Sequence, residues 1–434
     1  MTVDKNLFLY DVAVVALTYN EKHYIKEWLD YHLLAGVDHF YLYDHESTDN
    51  YRKISRPYEE KGLVTDKYYP GKVKHIAAFN DAVKNFKFFC RYMAFIDDDE
   101  FILPKNNKII SEVIDEIIND KLNICALRVH WHCFGSNNLE KADYSKGVLE
   151  RFTRRAPDDY VHNRGLKVIA NPRKIKYWDN PHDAYYYEGN YPVDESGEIT
   201  LGMSKFATAE KIILNHYCVK SKEEFVERKM KANSNPDVYS SSRQWDYFEE
   251  HDRNDVFDDE ILRYRAVREK TLGGGVETLL QRKKIDYPRI LNSLLQNLLP
   301  TINRETPPQF FAGKMETFLT CRAVANHLTA IKILDERDGK FFEELALRAI
   351  HKTLSTGMTF ADAQLLISEI PTLLTLNYPA VNDIRGVLIK IIQQMTEILR
   401  LSITGIPMFH LWRDIVELEN ILNLLKAFDN YNHK

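Results

Sequence analysis

The sequence predicts an α/β domain, built on an open and mostly parallel sheet with flanking helices, followed by an all-helical region. Three features of the 434-residue chain carry this prediction. Short β-branched runs alternate with helix-like segments over the first hundred residues, an acidic cluster follows the fourth such run, and the pattern after Gly275 is helical almost to the end. Strands that alternate with helices are joined by right-handed crossovers, so we expect them to pair in parallel.

The first hundred residues contain four predicted strands separated by three predicted helices. The first strand is the apolar run at 11–17, which ends at a polar turn formed by residues 18–21. Gly36 stands where the cap of the first helix is expected. The predicted order is strand 11–17, helix 22–35, strand 38–43, helix 49–61, strand 63–69, helix 74–89 and strand 92–96.

The rest of the chain divides at a run of three glycines, 273–275, which is the clearest linker in the sequence. Before it, residues 109–120 and 221–270 are predicted to be helical and residues 170–218 to form loops and short strands. Strands are predicted at 123–133, 147–153 and 165–170, and helices after the linker at 277–299, 308–335, 338–355, 360–374, 378–400 and 408–428. We therefore predict a sheet domain at 1–270, a linker at 271–276 and a helical domain at 277–434.

The composition excludes several classes of protein. Hydrophobic residues make up 44% and charged residues 28% of the chain, which indicates a folded protein rather than a disordered one. The net charge of -5 does not favour nucleic acid as a partner. No apolar stretch approaches the roughly 18 residues of a membrane span, and the start lacks a signal-peptide pattern. Five cysteines without a C-x-x-C pair favour reduced thiols in a cytoplasm.

Three consecutive aspartates directly follow the fourth predicted strand. Alternation along the strand would put Asp97 and Asp99 on one side and Asp98 on the other. At the carboxyl edge of an open α/β sheet, where ligands bind, two such carboxylates suit a hard divalent cation that also holds phosphate oxygens. The alternative is a solvated acidic turn. A phosphatase with an aspartyl nucleophile is not favoured, because that aspartate pair normally follows the first strand of its domain.

Five separated motifs resemble glycosyltransferase family 92 and related family 2-like glycosyltransferases. In order along the chain they are VVALTYNEKHYIKEWLDYHLLAGVDHFYLYDHESTDN, FIDDDEF, HCFGSN, NPRKIKYWDNPH and LNHYCVKSKEEF. The resemblance covers about residues 10–265 and implies a GT-A fold, a nucleotide-sugar donor and a divalent metal, Mn2+ or Mg2+. It does not extend to the helical region after residue 276.

The resemblance implies a nucleotide pocket formed by two loops. Thr18, Tyr19, Asn20 and Glu21 look like one wall of this pocket, with the ring of Tyr19 against the base. Asp44, which ends the second strand, matches the acid that contacts the uracil or ribose. The alternatives are an ordinary polar turn at 18–21 and an Asx turn or helix cap at Asp44.

The resemblance also implies a metal and diphosphate site. Asp97 and Asp99 match the D-x-D pair, in which Asp99 is expected to bind the metal and Asp97 the ribose or the metal. His216 is similar to the late histidine that completes the metal shell. Lys220 matches a lysine that could neutralise the leaving diphosphate. The alternatives are a core histidine at 216 and a surface charge at 220.

An inverting transfer needs a carboxylate or histidine that accepts the proton of the acceptor hydroxyl. Asp194 is the first candidate, because it ends a loop expected to face the acceptor, and Asp183 and Asp252 follow. Trp131 and Phe134 offer ring faces for a sugar, with core packing at a strand end as the alternative.

Basic and capping residues complete the expected site. Positive charge over the site is expected from Arg128, Arg154, Arg155, Arg164, Lys167 and Arg173. This charge would serve either the donor diphosphate or an acidic acceptor. Ser221 together with Glu224 fits a helix capping box, so that serine has a structural alternative.

The motifs together predict a metal-dependent glycosyltransferase of the hexosyltransferase class. By resemblance, its donor is a UDP-sugar transferred with inversion, and its acceptor is a glycan or lipid-linked glycan in surface polysaccharide synthesis. The alternative is a non-catalytic binding or scaffold protein that associates through the helical domain. A nucleotidyltransferase is not favoured, because the first loop lacks the glycines that cradle phosphates.

The expected location is the cytoplasm, with peripheral contact at the inner face of the membrane. Lys283, Lys284 and Arg289 flank the apolar run at 290–299, which could lie on an anionic membrane. The competing expectation is that this helical face packs on the transferase domain or on a second subunit, giving a homo-oligomer.

Overall fold

The computed structural model describes residues 3–71, 74–118, 123–200, 202, 206–230, 244–282, 284–356 and 360–373, with single residues at 389, 392, 393, 396, 419 and 423. The helices predicted at 378–400 and 408–428 fall almost wholly outside the described residues, as does Lys283. The chain forms two compact units. One is Phe8–Asp286, and the other joins Val3–Leu7 to Tyr287–Lys434.

The first hundred residues fold as the predicted alternation of strands and helices. Because β-branched and small residues of the first strand are buried on both faces, the strand appears in the sequence as one continuous apolar run. Val12 and Val14 share a core cluster with Trp28, whereas Ala13 and Val15 share another with Phe79. The elements are β1 (Tyr10–Thr18), α1 (Ile25–Leu34), β2 (His39–Asp44), α2 (Arg52–Glu59), β3 (Val64–Tyr68), α3 (Lys74–Phe86) and β4 (Cys90–Phe95).

The second half of this unit contains shorter elements than the first. After β4 come β5 (Glu100–Pro104), α4 (Ile110–Ile118), β6 (Ile124–Cys133), α5 (Val148–Arg151), β7 (Arg154–Arg155), β8 (Leu166–Ala170), β9 (Ile175–Trp178), β10 (Ala184–Tyr186), β11 (Tyr191–Val193), β12 (Ile212–His216), α6 (Lys222–Phe225), α7 (Trp245–His251), β13 (Val256–Phe257), α8 (Glu260–Thr271) and α9 (Val276–Arg282). A π-helical turn, Val226–Met230, continues α6.

The prediction of a strand at 147–153 is wrong, because residues 148–151 form the short helix α5. The carboxylate of Glu27 accepts the backbone N–H of Val148 at 2.5 Å, which satisfies a donor at the start of that helix. Val148, Leu149 and Phe152 are buried. These three residues are separated by one, three and four positions, which fits a helical turn as well as a strand. The type of so short a segment is therefore ambiguous in the sequence.

The sheet has the strand order β3-β2-β1-β4-β8-β6-β12-β5, with β11 beside β6. The strands from β3 to β4 pair in parallel. Strand β8 enters antiparallel between β4 and β6, β12 is parallel to β6, and β5 is antiparallel to β12. The predicted fold class is thus confirmed, a mostly parallel open sheet with flanking helices followed by a helical region.

The carboxyl ends of the parallel strands meet at one edge of the sheet. In the register of β1 and β2, Thr18 lies opposite Asp44. Strand β4 pairs with β1 as far as Phe95 and Val15, and the acidic cluster follows within two residues. The polar loops after β1, β2 and β4 therefore gather at the edge where open α/β sheets bind ligands.

The two compact units divide between Asp286 and Tyr287, beyond the linker predicted at 271–276. Helix α9 contacts α1, and Val276 belongs to the core of the sheet unit. The glycine run is the turn between α8 and α9. Gly273 has φ of +70° and Gly274 has φ of +155°, values that residues with side chains rarely adopt.

The helical unit is described as far as residue 373. Its helices are α10 (Tyr287–Leu298), α11 (Met315–Ala330), α12 (Glu336–Thr356) and α13 (Phe360–Leu373). The core between α11 and α12 includes Phe318 and Ile350, which are completely buried. The N-terminal segment joins this unit, because Ser293 donates a hydrogen bond to Asp4 at 2.5 Å.

Within the described part of the chain, none of the helices combines the length and the apolar character that crossing a lipid bilayer requires.

Candidate active site

The loops after β1 and β2 are bonded to each other. Asn20, in a left-handed conformation with φ of +57°, donates its backbone N–H to Ser47 at 3.0 Å. Its side-chain oxygen accepts the backbone N–H of Thr48 at 2.7 Å. Lys22 donates its backbone N–H to Asp49 at 2.8 Å. Asn20 therefore connects the two loops and fixes their shape.

Thr18 and Tyr19 differ sharply in exposure. Thr18 is completely buried, and its hydroxyl has no hydrogen-bond partner among the described residues. Tyr19 is 40% exposed, with its ring centroid 6.2 Å from that of His45 on the β2 loop. An exposed ring at the carboxyl edge of the sheet can lie against a planar base. The structure thus leaves Tyr19 available for the role expected of it.

Asp44 is buried and held on both carboxylate oxygens. One oxygen accepts the backbone N–H of Ser47 at 2.9 Å, and the other lies 3.0 Å from Nε of Arg52. The bond from Ser47 spans three residues, whereas an Asx turn spans two, so Asp44 makes a local loop contact but not an Asx turn. These contacts stabilise the β2 loop whether or not a nucleotide is bound.

Asp97 lies in the turn between β4 and β5 and contacts two basic side chains. Lys167 of β8 donates to its Oδ2 at 2.9 Å, and Nε2 of His75 in α3 lies 3.2 Å from its Oδ1. Burial alone would raise the pKa of Asp97, but the Lys167 ammonium and the His75 ring outweigh burial and hold the pKa below its usual range. Asp97 is therefore a carboxylate whose charge the protein itself compensates.

Glu100 lies beneath this turn. Its Oε2 accepts the backbone N–H of Asp97 at 2.8 Å and lies 4.0 Å from the Lys167 ammonium. The residue is completely buried, and burial raises the pKa of Glu100 well above its ordinary value although Lys167 opposes the shift. Glu100 thus shapes the acidic turn from inside the core.

Asp99 faces His216 at the end of β12. The Oδ1 of Asp99 and Nε2 of His216 are 3.6 Å apart, and both residues are less than one-tenth exposed. The backbone N–H of Tyr217 donates to the carbonyl of Asp99 at 2.9 Å, which fixes the two segments together. The carboxylate comes from the turn between β4 and β5 and the imidazole from the end of β12, and the two groups converge on one point.

The residues at Asp99 and His216 fit a divalent cation in part. Ligand bonds to such a cation are about 2.1 Å each, so one ion can contact two atoms that are 3.6 Å apart. Among the described residues, however, no group of three His, Cys, Asp or Glu side chains could hold a metal. The remaining ligands would have to be water and phosphate oxygens, as is usual for Mg2+ bound with phosphates.

Lys220, four residues after His216, is a buried cation. It is 3% exposed, its Nζ lies 3.3 Å from the carbonyl of Tyr217 and 4.9 Å from the ring centroid of Tyr24, and its φ is +55°. No carboxylate contacts its ammonium in the part of the chain that the structure describes. Burying an ammonium without an anion is costly, and so is a left-handed backbone at a lysine. An anionic ligand that contacted this ammonium would offset part of these costs.

Glu21 forms an ion pair with Arg228 of the π-helical turn. The Arg228 guanidinium also lies 4.7 Å from the ring centroid of Tyr24, so Arg228 and Lys220 both contact this tyrosine. Tyr24 donates its hydroxyl to Glu224 at 2.8 Å. These contacts connect Glu21, the last residue of the predicted nucleotide wall, to the segment that follows β12.

Ser221 and Glu224 form the predicted capping box at the start of α6. Glu224 accepts the Ser221 backbone N–H at 3.1 Å, and Ser221 accepts the Glu224 backbone N–H at 3.3 Å. Two nitrogens of Arg151 donate to Glu224 at 2.8 and 2.9 Å. This buried network positions the loop that carries Lys220.

The three proposed general bases all have structural partners. Asp194 accepts hydrogen bonds from Ser196 in its own turn, at 2.5 Å from the hydroxyl and 2.9 Å from the backbone N–H. Asp183 forms an ion pair with Arg128. Asp252 accepts the backbone N–H of Ser136 at 2.6 Å. Nothing in these contacts brings any of them to Asp99 and His216, so the base stays unassigned.

Phe134 is completely buried, with its ring centroid 4.7 Å from that of Tyr217, so the core-packing alternative is confirmed for it and the predicted sugar-binding role is wrong. Trp131 is partly exposed, and its ring centroid lies 4.4 Å from that of His216. The backbone of Gly165 approaches this indole so closely that a Cβ there would lie 2.1 Å from it. Trp131 therefore forms a fixed wall next to His216.

The basic residues expected over the site mostly have structural contacts. Arg173 is buried and donates to backbone carbonyls of Lys87 and Cys90. Arg155 pairs with Asp258 at 2.7 Å. Sequence reasoning missed His75, Arg228 and the contact of Lys167 with Asp97, because those contacts join segments far apart in the chain.

The chain is similar to one known family and to several of its curated members. The model of glycosyltransferase family 92 matches residues 11–254. Family 92 proteins of Ricinus communis, Oryza sativa subsp. japonica and Arabidopsis thaliana are 24%, 26% and 25% identical over 145, 168 and 176 residues, which is 33%, 38% and 38% of this chain. The matches cover 26%, 28% and 29% of those relatives, so the chain spans less than a third of their length.

A solved structure, that of Staphylococcus aureus TarS residues 1–349, is similar over 80% of this chain and 90% of its own, at 15% identity and a TM-score of 0.28. That score is too low to carry a conclusion about function. The match to the family model, in contrast, includes β1, the acidic turn, His216 and Lys220 and extends over more than half of the chain. The chain therefore belongs to glycosyltransferase family 92.

Proposed function

We propose that the protein transfers a sugar from a nucleoside-diphosphate donor to an acceptor hydroxyl with the help of a divalent cation. One observation carries the proposal: Asp99 and His216 converge at the carboxyl edge of the sheet, and the loop that follows His216 carries Lys220, a buried ammonium that no described carboxylate contacts. A cation and an ammonium at the same edge suit the two negative charges of a departing diphosphate.

Each residue has a definite task in this proposal. Asp99 and His216 would hold Mn2+ or Mg2+, which when bound supplies Lewis-acid stabilisation of the leaving diphosphate. Lys220 would donate to a phosphate oxygen, and Tyr19 would stack on the base. Because the resemblance points to a UDP-sugar donor and to inversion at the anomeric carbon, we propose both.

The acceptor side is proposed on chemical grounds. Trp131 borders His216 and presents an aromatic wall, which suits the apolar face of a sugar ring. A glycan or lipid-linked glycan acceptor, as in surface polysaccharide synthesis, would fit such a wall. We also propose a cytoplasmic location with peripheral membrane contact or self-association through the helical unit.

A donor screen tests the proposal. UDP-, GDP- and CDP-sugars are incubated with the purified protein and Mn2+, and free nucleoside diphosphate is measured with and without EDTA. We expect one donor class to be cleaved, and EDTA to abolish the cleavage. A binding or scaffold protein would release no nucleoside diphosphate from any donor, and that result would contradict the proposal.

A further inference from the structure

Lys167 is held in the interior by the fold. Strand β8 enters between β4 and β6, and this places the Lys167 side chain, 1% exposed, below the acidic turn. Its ammonium lies 2.9 Å from Oδ2 of Asp97 and 3.1 Å from the carbonyl of Pro181. A buried ammonium is stable only when it has such partners. The fold therefore fixes the Lys167 ammonium against Asp97.

Both carboxylate oxygens of Asp97 contact basic side chains of the protein. Oδ2 accepts from Lys167, and Oδ1 lies 3.2 Å from Nε2 of His75. The Lys167 contact is a charge-assisted hydrogen bond, a kind that is among the stronger hydrogen bonds in proteins. A cation that replaced them would have to leave Lys167 buried next to a second positive charge. This strongly disfavours Asp97 as a metal ligand.

Asp99 has a different neighbour. Its Oδ1 lies 3.6 Å from Nε2 of His216, an atom that can share a cation with it. The two aspartates of the D-x-D pair thus lie in different electrostatic surroundings, although they are two residues apart. The sequence pattern alone presents them as equivalent.

We propose that Lys167 is the permanent counter-ion of Asp97 and a positioning residue of the transferase site, so that Asp99 and His216 are left as the protein ligands of the metal. The inference deepens the proposed function and rests on it. A hard cation with two protein ligands needs additional oxygens, which a diphosphate supplies. Metal and nucleoside diphosphate should therefore strengthen each other's binding.

The test measures Mn2+ binding to the full chain from the electron paramagnetic resonance signal of free Mn2+, first alone and then with UDP or GDP. Lys167→Met releases Asp97, and the added carboxylate should raise Mn2+ affinity without nucleotide by about tenfold. Asp97→Asn combined with Lys167→Met removes the whole ion pair. This paired variant should keep the affinity of the unmodified protein within about threefold.

The paired variant keeps the inference falsifiable if Lys167→Met alone does not fold, because it removes both charges of the Lys167–Asp97 pair together; Glu100, 4.0 Å from the Lys167 ammonium, is then relieved of the Asp97 charge as well. Asp99→Asn removes a proposed metal ligand, so it is the control for loss of Mn2+ binding. If the paired variant loses affinity by about tenfold or more while the unmodified protein binds Mn2+ with nucleotide, Asp97 is a ligand and only this inference is overturned. If the unmodified protein binds no Mn2+ under any of these conditions, the inference and the proposed metal dependence both fall.

Discussion

At the scale of single residues, the charge of Asp99 decides whether a cation can bind beside His216. Asp99→Asn keeps the shape of the side chain and removes that charge. We expect donor cleavage to fall by at least ~100-fold, because metal stabilisation of the leaving group is worth several kcal/mol. The thermal unfolding midpoint should be unchanged or slightly higher, since a carboxylate near Asp97 and Glu100 is removed.

The matched control for that variant is Asp143→Asn, because Asp143 lies in an exposed loop and accepts only local bonds from Ser145 in the described structure. Its rate should equal that of the unmodified protein. Normal Mn2+-dependent cleavage by Asp99→Asn would show that the metal is bound elsewhere.

His216 tests the second proposed ligand. His216→Ala should lower the apparent affinity for Mn2+, and excess Mn2+ should partly restore the rate of donor cleavage. The measurement is a metal titration of the initial rate, with thermal unfolding alongside. A variant that unfolds several degrees earlier but titrates normally with Mn2+ would show that His216 is a core residue rather than a ligand.

At the scale of elements, the segment that carries Lys220 depends on a buried network around Glu224. Burial would raise the pKa of Glu224, but Arg151 and Ser221 outweigh it and hold the pKa below the ordinary value. A carboxylate with a depressed pKa contributes stability above its unfolded-state pKa of about 4.3, and that stability is lost as the pH falls through the lower folded-state value.

Glu224→Gln should therefore cost about 3 kcal/mol near neutral pH, because it leaves the Arg151 guanidinium buried without its anion. Urea unfolding at pH 7 and at pH 3.5 measures this. The difference between the variant and the unmodified protein should shrink at the lower pH, because that pH lies below the unfolded-state pKa and part of the stability contributed by the Glu224 carboxylate is lost there. Ser221→Ala removes the helix cap and one hydrogen bond to Glu224 but leaves Arg151 paired, so it should cost less, about 1 kcal/mol. An unchanged difference in stability between Glu224→Gln and the unmodified protein at the two pH values would contradict the network.

Some elements and site residues could be predicted from the sequence, and others could not. The alternation of β1, α1, β2, α2, β3, α3 and β4 was predictable, because buried strands and amphipathic helices have distinct periods. The acidic turn and His216 were found from strand ends and from the family resemblance. The contact of Lys167 with Asp97 could not be predicted, because it depends on β8 entering antiparallel from 70 residues further along the chain. Arg228 was missed for the same reason, since its partner Glu21 precedes it by about two hundred residues.

At the scale of the whole molecule, the candidate site belongs entirely to the unit Phe8–Asp286. That unit has its own core on both faces of the sheet. We expect a fragment of residues 8–286 to unfold cooperatively and to cleave the donor at a rate within about threefold of the full chain. Circular dichroism and the donor assay check this.

The acceptor assay then gives the fragment a second readout. Retained donor cleavage with lost transfer would assign acceptor binding to the helical unit. A fragment that aggregates, or folds without cleaving donor, would show that the sheet unit is not sufficient for the chemistry.

In the proposed function, the metal and the donor diphosphate bind at one edge of the sheet. The most direct measurement is an anomalous-difference map from crystals grown with Mn2+ and the nucleoside diphosphate identified by the donor screen. We predict one strong peak bonded to Asp99 and His216, with a phosphate oxygen within hydrogen-bonding distance of Nζ of Lys220. A peak bonded to neither residue, or a nucleotide bound away from β1 and the acidic turn, would contradict the account.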